Sequence, residues 1–183
     1  MQINNCHNID DFRKMAKSRI PAPLFHYIDG GADDESTLRR NISAFDEYDL
    51  MPNGLADVAN IDLSATILGQ KVGSPLFLAP TGMNRLFHHH GERGTYRAAE
   101  KYGCYYSLST LSSVSIEEIG SLTSTPKMFQ IYIHKDRGLT YELIERCKRA
   151  KFTSLCLTID TIVAGNRERD LRTGMTMPPK FTP

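Results

Sequence analysis

Apolar positions change rhythm along this chain. Over residues 1–50 they recur at helical spacing. Asp10-Asp11 open a segment carrying Phe12, Met15 and Ala16, closed by Pro21 and Pro23. Leu24, Phe25, Tyr27 and Ile28 mark a second short helix that stops at Gly30-Gly31. Asp33-Asp34-Glu35 are acids suited to the start of a third, which presents Leu38, Ile42 and Phe45. Residues 51–74 carry no helical signal. Ile61 to Val72 predicts a hairpin with Gly69-Gln70 as its two-residue turn, a cover over one end of the residues from Pro75 onward.

From Pro75 the pattern becomes regular. Unbroken apolar runs begin at Pro75 (PLFLAP), Cys104 (CYYSLS), Met128 (MFQIYI) and Ser154 (SLCLTI), at similar intervals. Runs without alternation suit strands buried on both faces, as in a parallel sheet wrapped by helices. The first run is expected to be such a core strand. Helical segments lie between the runs. Gly91 to Tyr102 carries Ala98 and Ala99; Ser115-Ile116-Glu117-Glu118 reads as a capping box; Asp136 to Ala150 puts Leu139, Leu143, Ile144 and Cys147 on one face. Four βα steps predict an α/β fold, either an open sheet or half of an eight-stranded barrel, which takes about 250 residues. Met175 to Pro183 reads as a loop cut short.

Composition narrows the function classes. Lys+Arg is 22 and Asp+Glu 21, for a net charge of +1, and no basic stripe suggests a nucleic-acid partner. No apolar run approaches membrane-spanning length, and the first residues lack the pattern of a signal peptide. Cys6, Cys104, Cys147 and Cys156 form no Cys-x-x-Cys pair, which suits a reducing cytoplasm and argues against zinc. His88-His89-His90 reads as a solvated loop, because three consecutive side chains do not readily converge on one ion.

Polar groups recur at the carboxyl ends of the runs, where parallel α/β folds bind ligands. The first ends in Thr81-Gly82 and the second in Ser109-Thr110. The third contains Gln130 and Tyr132. The fourth contains Thr158 and Asp160, with Arg167 shortly after. A core filled for stability alone has little use for them, since an unpaired buried polar group costs roughly 1–3 kcal/mol. Together they predict a floor of neutral hydrogen-bonding groups that suits a planar heterocycle.

These residues resemble a known family. Tyr27-Ile28-Asp29-Gly30-Gly31-Ala32, Ala79-Pro80-Thr81-Gly82, Leu108-Ser109-Thr110, Phe129-Gln130-Ile131-Tyr132, Leu157-Thr158-Ile159-Asp160-Thr161 and Gly165-Asn166-Arg167-Glu168-Arg169-Asp170 stand in the order and spacing of the FMN-dependent α-hydroxy acid dehydrogenases and oxidases. The resemblance covers nearly all 183 residues and only the N-terminal half of the family's pattern. It implies an N-terminal helical extension and hairpin over residues 1–74. Residues 75–183 would then be the first half, about four βα units, of a TIM barrel.

The resemblance also implies roles. The Pro80-Thr81-Gly82 backbone would lie against FMN, and Ser109, Gln130 and Thr158 would bond its ring. Tyr132 would act on the substrate hydroxyl as the catalytic residue, and Tyr27 and Arg167 would hold a carboxylate. The implied reaction is oxidation of an (S)-2-hydroxy acid, most specifically L-lactate, to the 2-oxo acid. A quinone or another acceptor would take the electrons, and the full-length protein would be a homotetramer. No metal or nucleic acid is implied. The implied location is the cytoplasm, with peripheral attachment to the inner face of the membrane left open.

There are departures. Ile162 stands where many members have proline. Gly82 leans toward a dehydrogenase, and Arg167-Glu168-Arg169-Asp170-Leu171 resembles the lactate and mandelate dehydrogenase branch. The family's flavin-side lysine, histidine base, second arginine and phosphate site belong to the half not matched here. None of His7, His26, His88, His89, His90 and His134 takes the base's place. On this reading the 183-residue chain alone is inactive. The alternatives are a non-catalytic half-barrel that needs a complementary half, or an FMN enzyme of related fold with different chemistry. Tyr27 and Arg167 argue against the last, because both suit a carboxylate.

Overall fold

A computed structural model describes residues 2–122 and 125–175. The chain divides into two compact units: Asp57–Ile162, and the residues up to Ala56 together with those from Val163 onward. In the first of these, a hairpin of β1 (Ala65–Ile67) and β2 (Gln70–Val72) precedes a parallel sheet of β3 (Phe77–Leu78), β4 (Tyr105–Ser109), β5 (Lys127–Ile131) and β6 (Ser154–Leu157). Helices α4 (Glu92–Lys101), α5 (Ile116–Leu122) and α6 (Arg137–Arg149) connect the strands. The other unit holds α1 (Ile9–Arg19), α2 (Ala22–Asp29) and α3 (Ser36–Ser43), and α7 (Glu168–Thr173) completes it.

The strands lie in sequential order β3-β4-β5-β6. An open doubly wound sheet reverses its order at a switch point; this one does not, and its helices pack on a single face. Tyr106, Leu108, Phe129 and Ile131 point to that face, where they meet Tyr96 and Ala99 of α4, Ile116 and Ile119 of α5, and Cys147 of α6. The arrangement is therefore that of a partial (β/α) barrel. Tyr105, Ser107, Ser109, Met128 and Gln130 alternate onto the opposite face. There Val72 of the hairpin clusters with Tyr105 and Met128 near the amino ends of β4 and β5, and Ala65, Ile67 and Cys156 pack partly buried against them. The hairpin thus covers one end of the sheet's polar face.

The inner strands are buried throughout, and the outer ones are not. The run from Pro75 yields a two-residue strand, with Leu76 60% and Phe77 38% exposed, so the expected core strand is instead an outer one. Leu155 and Leu157 of β6 are exposed likewise. Other corrections are local. The hairpin turns at Leu68-Gly69, not Gly69-Gln70, because Ile67 pairs with Gln70. Both turn residues have positive φ (49° and 74°), the geometry of a type I′ turn, which glycine accommodates at its second centre. Only half of the capping box forms: Glu118 N–H donates to Ser115 Oγ at 3.1 Å, while the Glu118 carboxylate turns to Arg93. Leu139 is 40% exposed, although Cys147 on the same helix is buried.

In the other unit, Asn8 caps α1 by accepting from Asp11 N–H at 2.8 Å. Pro21 caps α2 and Pro23 lies inside its first turn, so Pro23 begins α2 and does not close α1. Glu35 does not act as an ordinary first-turn acid. It adopts φ 61° before α3, and its carboxylate accepts from Gly31 N–H at 3.1 Å and from Arg169 at 2.5 Å. Asp29 receives Arg13 and Arg169 together, at 2.5 and 2.9 Å, and the Arg13 bond holds its carboxyl below the usual carboxylate range. Ile42 and Phe45, expected to pack, are exposed at 67% and 79%. The C-terminal segment read as a loop lies, from Thr176, outside the described residues.

Two consequences can be measured. Leu108, fully buried between helices and sheet, is expected to cost about 2–5 kcal/mol on substitution by alanine, read as a lower urea midpoint. Arg146 grips Glu117 through two bonds of 2.7 and 2.8 Å and pulls its pKa from 4.5 to about 2. A depressed carboxylate adds stability above its unfolded pKa and loses it as pH falls. The gap between parent and Glu117→Gln should therefore close between pH 4.5 and about 2. The pair is solvent-screened, so the gap at neutral pH should stay under about 1 kcal/mol in urea titrations.

Candidate functional site

Ser109 ends β4, Gln130 sits one residue before the end of β5, and Thr158 follows β6. Parallel register sets Ser109 beside Gln130 and Gln130 beside Cys156, with Thr158 one pleat beyond. Their side chains join into one row across three strands. Ser109 Oγ donates to Gln130 Oε1 at 3.2 Å, and Gln130 Nε2 donates to Thr158 Oγ1 at 2.7 Å. Thr110 fixes the same amide, its N–H donating to Oε1 at 3.1 Å and its hydroxyl to the Gln130 carbonyl at 2.6 Å. Leu111 N–H in turn donates to Ser109 Oγ at 3.1 Å. Ser109 and Gln130 are buried, which such satisfaction permits.

The Pro80-Thr81-Gly82 turn follows β3 and is tied to the loop after β4. Met83 N–H donates to the Leu111 carbonyl at 2.8 Å. A Cβ on Gly82 would come within 3.0 Å of Leu111 Cβ and 3.2 Å of its carbonyl oxygen, so a larger residue here would push Leu111 back by a few tenths of an ångström. Thr81 is exposed and exchanges hydrogen bonds with Asn84. Tyr132, just past β5, is half-buried; Asp160 is exposed.

Tyr27 and Arg167 belong to the other unit and come together there. The guanidinium lies over the Tyr27 ring at 5.2 Å and donates to the Tyr27 carbonyl. Its Nε donates to Asp170 Oδ2 at 2.6 Å. The expected pair is thus side by side, and Arg167 already has a carboxylate partner in Asp170. The three rings of His88, His89 and His90 cluster at 4.0–5.2 Å on an exposed loop, and no group able to hold a metal ion occurs among the described residues.

The family described as FMN-dependent dehydrogenase matches residues 16–183. The chain belongs to that family. Relatives agree in kind. The chain is 39% identical to the peroxisomal (S)-2-hydroxy-acid oxidase GLO4 of Oryza sativa subsp. indica, over 97% of this chain and 49% of that protein. It is 40% identical to the L-lactate dehydrogenase of Vibrio parahaemolyticus, over 92% of this chain and 44% of that protein. The solved structure of the monotopic membrane protein (S)-mandelate dehydrogenase superposes with a TM-score of 0.89 at 33% identity, covering 97% of this chain and 48% of that one. The chain spans about half the length of the relatives it matches.

FMN-dependent dehydrogenases use FMN, and the donor set fits part of that group. Within the row, Gln130 keeps a second amide N–H and Thr158 a hydroxyl proton that the bonds above do not use. Ser107 Oγ, one pleat below on the same face, is buried without a partner among the described residues. Neutral donors in line suit the carbonyls and nitrogens along the edge of a flavin ring. Sequence reasoning gave Thr110 no role beyond its place beside Ser109, and it missed Asn84 and Glu92, which sit at loop and helix-start positions that carried no signal.

Replacing Gln130 by the near-isosteric Met removes the centre of the row and strands Ser109. Urea unfolding should register a loss of about 1–3 kcal/mol, whereas Thr81→Ala, on an exposed turn, should move the midpoint far less.

Proposed function

We propose that the complete enzyme uses FMN to oxidise an (S)-2-hydroxy acid, with L-lactate the first candidate, to the 2-oxo acid. The observation that supports this most is the Ser109–Gln130–Thr158 row at the carboxyl ends of three neighbouring strands. In this reading the row holds the ring edge, and the Pro80-Thr81-Gly82 backbone lies along the ring. When bound, FMN supplies a two-electron acceptor.

The chain's own residues would bind and orient. Arg167 offers a planar fork, with Nε held by Asp170 and one outer nitrogen donating to the Tyr27 carbonyl, so the N–H groups those two bonds do not use would take the carboxylate. A carboxylate held by that fork and the Tyr27 hydroxyl has one orientation, which aims the α-carbon. Tyr132 would hydrogen-bond the substrate's hydroxyl oxygen and stabilise charge that develops there. The proton-accepting histidine would come from the part of the family pattern this chain does not span. A quinone acceptor, a homotetramer and a cytoplasmic enzyme attached peripherally to the membrane complete the proposal. Membrane attachment is supported by the likeness to a monotopic mandelate dehydrogenase; no helix among the described residues is long and apolar enough to cross a membrane.

A second reading has one observation in its favour. The outer strands and the residue before β3 expose Leu76, Phe77, Leu155 and Leu157, as a half-barrel awaiting lateral strands would. On that reading the 183-residue chain by itself is non-catalytic, and any turnover of a 2-hydroxy acid by the purified chain would refute it.

Anaerobic mixing of the full-length protein with L-lactate should bleach its visible flavin absorbance; absence of flavin, or indifference to L-lactate, glycolate and mandelate alike, would end the proposal. Arg167→Lys should raise KM by about tenfold or more through loss of the bidentate fork. Tyr132→Phe should act mainly on kcat, lowering it by about tenfold.

A further inference from the structure

Glu92 is the first residue of α4 and is fully buried. One of its oxygens gathers two separate loops. Oε1 accepts from Asn84 N–H at 3.2 Å, in the loop after β3. It also accepts from Ser113 N–H at 2.8 Å and Ser113 Oγ at 3.3 Å, in the loop after β4. Ser113 Oγ also accepts from Arg85 N–H at 3.1 Å, a second tie between the same loops. A buried carboxylate is costly unless well bonded, and Oε2 of Glu92 is buried with no partner among the described residues. A helix N-terminus offsets part of that cost.

The bonds continue from Glu92 to the proposed flavin turn. Asn84, held at its backbone by Glu92, turns its side chain onto Thr81. Its Nδ2 donates to the Thr81 carbonyl at 3.2 Å, and Thr81 Oγ1 lies 3.3 Å from its Oδ1. Between them Met83 is held at φ 55°, a conformation that non-glycine residues rarely adopt. Strain of this kind persists only where surrounding bonds impose it. The loop after β4 leads, through Leu111, back to Ser109 and the hydroxyl–amide row.

We infer that Glu92 and Asn84 are positioning residues for the cofactor. They fix the Thr81-Gly82 backbone where the ring must lie, acting through the turn and not on the ring itself. The inference rests on the functional reading above, and it adds two residues to the parts that reading assigns.

The test compares FMN affinity with fold stability in the full-length protein. Asn84→Asp removes the donor to the Thr81 carbonyl at nearly constant size. It should weaken FMN binding about tenfold, by quenching of flavin fluorescence, while the thermal midpoint of the apoprotein moves by no more than about 2 °C. Glu92→Ala should weaken FMN at least as much, and Glu92→Gln, which keeps the Oε1 acceptor, should restore most of the affinity. If Glu92→Ala fails to fold, the Asn84→Asp comparison still decides. Variants that bind FMN as the parent does, or that lose affinity only in step with apoprotein stability, would overturn the inference alone. A parent that takes up no FMN would overturn the functional reading and the inference together.

Discussion

The register between β4 and β5 governs everything else in the sheet. Leu108 opposite Phe129 and Ser109 opposite Gln130 are set by the same ladder of backbone bonds. The first pair faces the helices and supplies core; the second faces away and supplies the polar row. A slip of one residue would exchange the two faces, putting an amide under α5 and α6 and a phenyl ring among hydroxyls. The core therefore enforces the chemistry. Burial of Tyr106, Leu108, Phe129 and Ile131 against three helices is what keeps Gln130 within reach of both Ser109 and Thr158.

The polar side of that ladder is built with little slack. Gln130 is held at its oxygen by a hydroxyl and a backbone N–H, and at its nitrogen by another hydroxyl. A network satisfied to this degree is rigid, and rigidity lets neutral groups orient a ligand without reorganising around it. The loops beyond the strands share the property by another route, since a buried carboxylate and an asparagine hold a turn that would not keep its shape alone. The contrast with the outer strands is sharp: β3 and β6 each have one strand neighbour among the described residues, and they expose Phe77, Leu155 and Leu157, apolar residues of a kind the inner strands bury.

The sequence showed most of this architecture because its signals were local. The Asp136 cap, the four apolar runs and the double glycine after α2 each report a constraint that acts within a few residues. The row at Ser109, Gln130 and Thr158 was legible because strand ends are short and polar residues there are conspicuous. What was not legible depends on lateral neighbours. The run at Pro75 has the composition of a core strand, yet its burial depends on a strand that no local pattern can specify. Phe45 and Ile42 failed for the same reason, since an apolar stripe does not say what covers it. Glu92 was hidden because a glutamate opening a helix is usually a solvated dipole partner. Only the three-dimensional return of residues 84 and 113 to the same point makes it a clamp.

The hairpin has one more implication. Val72, Ala65 and Ile67 stopper the polar face beneath Tyr105 and Met128, at the end opposite the row. With that end covered, the row stands at the end of the polar face that the hairpin leaves uncovered. A ligand at the proposed site would approach along the strand tips, and the hairpin beneath would act as a floor that limits how deep it can sit.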